Sequence, residues 1–263
     1  MTEYGGLAEI YDTLMLGVDY GEWAEYIESL VRRHGGVPQK TVLDVACGTG
    51  STTLAMARAG YIATGLDLSG EMLSVARQKA SRERLDINFM RADMRSFSLP
   101  ESVGLVVSFQ DGLNYLPTTA DFEDTMKAVA ACLERDGLFI FDINRVEKLH
   151  KSKTTDVFWV DSEEFTLIWE TRFISNDMWE INITGFVPTE NGLYRKFSEV
   201  HRERMISEEE VVTALEKAGL KLTGRYAAFS QEEPDESSRR TFYVARNLQI
   251  KVKPKNEEIF HRR

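Results

Sequence analysis

Val42-Leu43-Asp44-Val45-Ala46-Cys47-Gly48-Thr49-Gly50 is the most informative segment of the chain. Thr41 through Val45 read as a short strand, and the glycines at 48 and 50 follow it at once. Glycine lets the backbone turn tightly and approach a ligand where a Cβ would collide. Ser51–Ala59 then has the composition of a short helix, closed by Gly60. In an open parallel sheet such a strand-to-helix turn lies at the carboxyl ends of the strands, where ligands sit. The alternative is a turn that serves tight packing alone.

The same alternation continues on both sides. Upstream, Trp23, Tyr26, Ile27, Leu30 and Val31 recur at helical spacing over residues 22–33, with Gly35-Gly36 as a stop. Downstream, a strand over Tyr61–Leu66 reaches Asp67, and Ser69 is placed to cap a helix running to about Ala80. Ile87–Met90 and the nearly all-apolar Val103–Phe109 are further strands. Phe122, Met126, Val129 and Leu133 share one helical face that ends at Gly137, before a fifth strand, Leu138–Ile143. This pattern predicts a doubly wound, mostly parallel α/β sheet.

From about Lys148 to Met205 helical periodicity disappears. Phe165–Phe173, Trp179–Val187 and Tyr194–Met205 read as antiparallel strands, separated by Ser175-Asn176-Asp177 and by the hairpin signal Asn191-Gly192. Ser207-Glu208-Glu209-Glu210 is a capping box for a helix that ends at Gly219. Strands at Leu220–Tyr226 and Thr241–Ala245 complete a seven-stranded Rossmann-like sheet whose last strand runs antiparallel. The expected division is an α/β domain over 1–147 and 206–247, an inserted β lobe over 148–205, and a polar, frayed tail over 248–263.

The formal net charge of −10 makes nucleic acid a poor partner, since the basic runs near Arg82 and Arg202 are interrupted by glutamate. No stretch approaches the ~20 apolar residues of a membrane span. The N-terminal MTEYGGLAEIYD lacks the basic and apolar regions of a signal peptide. Cys47 and Cys132 make neither a disulfide framework nor a zinc site, and the four histidines never fall at ligand spacing. A cytoplasmic protein without a metal is the expectation.

Three carboxylates mark the candidate site. Asp44 stands four residues before Gly48, and Thr53 occupies the third glycine position of GxGxxG. Both features disfavour a dinucleotide, and the charge of Asp44 suits a ligand with an amino group and a sulfonium. Asp67, at the end of the next strand, can accept both hydroxyls of a ribose, or it can help cap the helix that follows. Asp93-Met94 can accept an exocyclic adenine amine and cover its face, or be a turn residue beside a core methionine.

VLDVACGTG, GLDLS, RADMRSF and FQDGLNYL (Val42, Gly65, Arg91 and Phe109 onward) match, in order and spacing, the motifs of class I S-adenosylmethionine-dependent methyltransferases. The resemblance runs from about Tyr11 to Ala245. Tyr11-Asp12, Asp19-Tyr20 with Trp23, and the inserted meander resemble the glycine N-methyltransferase-like and amino-sugar N,N-dimethyltransferase-like branch. The resemblance implies S-adenosylmethionine as cofactor, with Ala46, Gly48 and Gly50 at its methionine end beside Asp44. It implies Asp67 and Leu68 at the ribose, Asp93 and Met94 at the adenine, and Phe109 under the sulfonium. Tyr11 and Tyr20 would close over it, with Tyr11 at the junction with the acceptor. Asn114 stands where some relatives carry a histidine, and asparagine cannot act as a base.

A sulfonium is a strong electrophile, so transfer needs mainly a nucleophile held in line with water excluded. A neutral amine suffices, whereas a hydroxyl calls for a base. The expected reaction is methyl transfer to N or O of a small molecule. The rivals are an NAD(P)-type oxidoreductase and a non-enzymatic cofactor-binding or dimerisation protein. Trp159, Trp169, Trp179, Tyr194 and Phe197 equip the lobe either as a lid over the acceptor or as a homodimer interface. His201 is the one histidine within the lobe strands, a substrate contact or a structural residue.

Overall fold

The chain forms two sheets in a computed structural model that describes residues 5–145, 156–175 and 177–249. The larger has seven strands: β1 (Thr41–Val45), β2 (Ile62–Asp67), β3 (Asn88–Arg91), β4 (Val103–Ser108), β5 (Leu133–Asn144), β10 (Leu220–Ala227) and β11 (Arg240–Asn247). Their spatial order is β10-β11-β5-β4-β1-β2-β3. The strands from β3 to β5 run parallel, and β11 runs antiparallel to both of its neighbours. The order reverses at β1, which pairs with β2 on one side and β4 on the other, so a crevice opens at their carboxyl ends.

Helices cover both faces. Trp23, Ile27 and Leu30 of α2 (Tyr20–Arg33) and Met56 of α3 (Ser51–Arg58) pack on Val42, Leu105, Ile140 and Phe242. On the other face, Phe122, Met126 and Val129 of α5 (Thr119–Cys132) and Val211 and Leu215 of α6 (Glu208–Lys217) meet Phe139, Phe141 and Tyr243. α4 (Gly70–Glu83) starts as the sequence predicts, with the Ser69 hydroxyl accepting from the Met72 amide at 3.2 Å. Among the described residues no helix is long and apolar enough to cross a membrane.

The second sheet is antiparallel: β6 (Asp156–Asp161), β7 (Thr166–Phe173), β8 (Met178–Pro188) and β9 (Tyr194–Arg204). Its inner face buries Phe165, Leu167, Ile181 and Ile183 against Leu7 and Ile10, so the N-terminal segment forms part of the lobe's core. The loop carrying Asn191-Gly192 closes the β8–β9 hairpin, with Gly192 at φ 76°. Residues 148–155, Asn176 and the tail from 250 onward lie outside the described residues.

The structure corrects four expectations. Leu133 is the first residue of β5 rather than the last on the helix, because it pairs with Val103. Gly137 marks a close approach inside that strand, where a Cβ would stand 3.0 Å from the Gly104 carbonyl oxygen. The capping box is half made: the Ser207 hydroxyl accepts from the Glu210 amide at 3.1 Å, but the Glu210 carboxylate is paired with Arg204 at 2.6 Å. β6 is a strand that the alternation analysis had not resolved.

Candidate active site

The turn after β1 is built from left-handed backbone. Ala46 has φ 58°, Gly48 φ 55° and Gly50 φ 75°, and only at the glycines is this conformation free of side-chain cost. The two glycines do different work. A Cβ on Gly48 would meet nothing within 4 Å, since it would point into an open cavity. A Cβ on Gly50 would sit 2.9 Å from the Ala76 Cβ, so Gly50 serves helix packing and does not line the cavity.

That cavity measures about 720 Å³, within the ordinary size range of small-molecule and cofactor sites. Asp44, Ala46, Gly48, Asp67, Leu68, Asp93, Met94 and Phe109 line it together with Tyr11, Tyr20, Gln110, Gly112 and Tyr115. The cofactor-site residues expected from sequence therefore converge on one cavity, Gly50 excepted.

Asp67 combines the two readings that the sequence left open. Its carboxylate accepts the Gly48 amide on one oxygen and the Ser69 amide on the other, both at 2.8 Å. These bonds lock the carboxylate plane between the glycine turn and the helix cap while the side chain lines the cavity. Burial raises its pKa against the pull of those amides. Asp44 is 2% exposed and accepts from the Thr53 hydroxyl at 2.6 Å. Burial pushes it up to about 7, with the charge of Asp67 adding to the effect. Thr53, the departure from the dinucleotide motif, is thus the group that orients Asp44.

Asp93 lines the cavity, but its carboxylate is held from the side by the Arg95 guanidinium at 2.6–3.1 Å, which keeps its pKa low. Leu68 is 60% exposed beside it. Tyr11 lies in a one-turn helix, α1 (Tyr11–Leu14), tied down through its neighbour: Asp12 accepts from the Thr49 hydroxyl at 2.6 Å and pairs with Lys79 at 2.7 Å. In the sequence Asp12 stands out only as part of the Tyr11-Asp12 pair, and no motif marks Lys79. Burial, then the charge of Asp111, raises the Tyr11 phenol far above its ordinary range. Tyr20 donates to Gln110 Oε1 at 3.4 Å.

The loop after β4 forms the far wall. Gln110 and Asp111 both adopt positive φ, 56° and 61°, a strained conformation for residues with a Cβ. Asp142 holds them there, accepting the Gln110 amide at 3.2 Å and the Asp111 amide at 3.3 Å while Arg240 pairs with it. Gly112 is required by contact, since its Cβ would stand 2.8 Å from that of Ala46. Behind this wall buried Asp142 and Glu203 and half-buried Asp111 surround the guanidinium of Arg240. Burial pushes Asp111 up to about 6, and burial with the Asp111 charge pushes Glu203 up to about 8.

The structure moves two of the expected catalytic residues away from the cavity. Asn114 is fully buried: its amide donates to the carbonyls of Arg204 at 2.9 Å and Asn144 at 3.3 Å, and its oxygen accepts the Asn144 amide at 3.0 Å. It joins the loop to β5 and β9. His201 is 1% exposed and lies behind Tyr115, which does line the cavity. Among the described residues of the lobe, Met178 and Arg202 line the cavity and the aromatic residues do not. Trp159 and Tyr194 point outward, Trp179 stacks on Phe173 at 3.8 Å, and Trp169 and Phe197 pack on the lobe's core.

An α/β sheet with a glycine turn, two strand-end carboxylates and a cavity at the carboxyl ends of its strands has the form of a nucleoside-cofactor site. A methyltransferase domain family matches residues 42–137. A protein of Geobacillus sp. (strain WCH70), provisionally named a methyltransferase, is 31% identical over 92% of this chain and 99% of its own length. The dTDP-3-amino-3,4,6-trideoxy-alpha-D-glucopyranose N,N-dimethyltransferase of Streptomyces venezuelae is 30% identical over 82% of this chain and 90% of its own. The crystal structure of an S-adenosylmethionine-dependent methyltransferase from Clostridium acetobutylicum ATCC 824 superposes with a TM-score of 0.82 at 29% identity, covering 92% of this chain and 98% of that one. The chain belongs to the S-adenosylmethionine-dependent methyltransferase family. The oxidoreductase and non-enzymatic alternatives are set aside on these matches.

Proposed function

We propose that the enzyme methylates the nitrogen of a small amine, and that the cavity residues divide the work as follows. Gly48 leaves room for the cofactor's methionine part, where the carboxylate of Asp44 can pair with its amino group. Asp67, its plane held by two amides, takes the ribose hydroxyls, and Asp93, Met94 and Leu68 take the adenine. When bound, the cofactor supplies an electrophilic methyl group on a sulfonium, whose S–C bonding pair stays with sulfur as the methyl leaves. Phe109, Tyr11 and Tyr20 enclose that centre and exclude water.

The observation that carries the amine reading is the carboxyl cluster behind Tyr11 and Gln110, where half-buried Asp111 and buried Asp142 pair with Arg240 and buried Glu203 feels both charges. Such an environment disfavours an anionic acceptor such as a phenolate and accommodates an amine, whose neutral form is the nucleophile. The Streptomyces venezuelae relative, named for an amino-sugar substrate, supports the same class. A neutral amine attacks without a base and sheds its extra proton to water. The test is S-adenosylhomocysteine formation with parallel panels of small amines, amino sugars, phenols and alcohols. Turnover confined to the amines is expected, and turnover confined to the hydroxyl panels overturns the reading.

Val157, Phe158 and Trp159 are 62%, 60% and 66% exposed on the edge strand β6, which supports contact between two copies of the lobe.

A further inference from the structure

One aspartate carries the N-terminal segment onto the glycine turn. Asp12 follows the cavity-lining Tyr11 in α1, a single turn of four residues, none of them fully buried. So short a helix has little stability of its own. Upstream the segment belongs to the lobe: Leu7 and Ile10 lie in the lobe's core, and Glu199 accepts from the Gly6 and Leu7 amides. Downstream Asp12 reaches the α/β domain. Its Oδ1 accepts from the Thr49 hydroxyl at 2.6 Å, and its Oδ2 pairs with the Lys79 ammonium at 2.7 Å.

Lys79 comes from α4 and also donates to the Ser51 hydroxyl at 2.7 Å, and Ser51 donates to Asp12 Oδ1 at 3.4 Å. Thr49 and Ser51 flank Gly50 and line the cavity. Thr49 also stands next to Gly48, whose amide is held by Asp67. A polar chain thus runs through Asp67, Gly48, Thr49 and Asp12, from the proposed ribose carboxylate to the segment that bears Tyr11. Beside it a groove of about 460 Å³, lined in part by Ala8, Ser74 and Val75, lies between the segment and α4. Polar contacts, rather than close apolar packing, fix the segment on this side.

We infer that Asp12 and Lys79 are positioning residues for methyl transfer, which hold Tyr11 at the reactive end of the cofactor by fastening the N-terminal segment to the glycine turn. The two side chains are 39% and 21% exposed, and an ion pair so open to water adds little to overall stability. It still decides where a short segment sits, because only the few contacts of that segment compete with it. With the pair formed, Tyr11 walls the cavity; with it broken, water gains entry beside the methyl group. A ligand that fills the cavity favours the fastened state, in which its wall is complete. This role rests on Tyr11 enclosing the methyl centre as proposed above, and not on the acceptor being an amine.

The test reads the segment and the reaction separately. Amide hydrogen exchange of the full chain, with and without S-adenosylhomocysteine, follows Leu14 and Met15, whose amides donate to the Ile10 and Tyr11 carbonyls at 2.9 and 3.0 Å. In wild type the ligand should slow exchange there, and added salt should speed it. Lys79→Met should speed it roughly three- to tenfold and remove the salt effect, with the midpoint of denaturant unfolding unchanged. The same variant should lower kcat/KM roughly three- to tenfold for whichever acceptor of the amine and hydroxyl panels the wild type methylates fastest. Lys79→Arg should recover most of both losses. Asp12→Asn should behave like Lys79→Met, and the double variant should be no worse than either. Wild-type exchange and turnover in Lys79→Met, an arginine variant no better than the methionine one, or a lowered unfolding midpoint that accounts for the lost turnover contradicts the role. Tyr11→Ala separates the two readings. Reduced turnover there with normal turnover in Lys79→Met overturns this role alone, and wild-type turnover in Tyr11→Ala overturns the enclosure by Tyr11 and this role together.

Discussion

The backbone amide of Gly48 donates to Oδ2 of Asp67 across 2.8 Å, joining the glycine turn after β1 to the end of β2. The two groups closest to the cofactor's expected position therefore hold each other. Asp67→Ala should remove the acceptor of two backbone amides as well as the proposed ribose contact. We expect a loss of ~2–4 kcal/mol in S-adenosylmethionine binding and ~1–3 kcal/mol in stability, read by calorimetry and by denaturant unfolding. A variant with full affinity would show that the ribose is held elsewhere.

Gly48→Val and Gly50→Ala should separate the two glycines. At position 48 a side chain enters the cavity, so cofactor binding should vanish while the fold survives, with ~1–2 kcal/mol lost to the positive φ. At position 50 the new Cβ collides with Ala76, so thermal stability should fall further than in the first variant.

Asp44 gives the site a pH signature. Its folded pKa of about 7 lies above the ordinary carboxylate range, so between about pH 4 and 7 the folded state binds more protons than the unfolded. Its contribution to stability is present at low pH and is lost as pH rises through that window. Asp44→Asn should flatten this part of the stability curve. Pairing with a cationic amino group should ionise Asp44, so cofactor binding at pH 6 should release protons, seen as a buffer-dependent binding enthalpy in calorimetry. Enthalpies independent of buffer would place the amino group away from Asp44.

For the lobe, Trp159→Lys puts a charge in the middle of the exposed β6 edge. Sedimentation should show a wild-type dimer and a monomeric variant with unaltered cofactor affinity. A monomeric wild type would contradict contact between two copies.

The features that the sequence revealed were local ones. Gly48, Asp44 and Asp67 announce themselves because a strand, a tight turn and the next strand end bring their positions together within one βαβ unit. The relation of Asn114 to Tyr115 shows where such reading stops. In a 3₁₀ turn successive residues point about a third of a turn apart. The right loop was therefore found, but the residue facing the cavity is Tyr115, with Asn114 turned into the protein. His201 meets Tyr115 across 86 positions of sequence, and no periodicity encodes that contact. Alternation along β7 to β9 identified two faces but not which one meets the main sheet. Hence the lobe's aromatics were open to either a lid or an interface role, and the described lobe residues that line the cavity are Met178 and Arg202.

The most direct measurement supplies S-adenosylmethionine carrying a ¹³C methyl group, with the amine and hydroxyl panels, and follows the label by carbon NMR. The account predicts an N–¹³CH₃ product with wild type and none with Gly48→Val. Label on oxygen with wild type, or an N-methyl product undiminished in Gly48→Val, would contradict it.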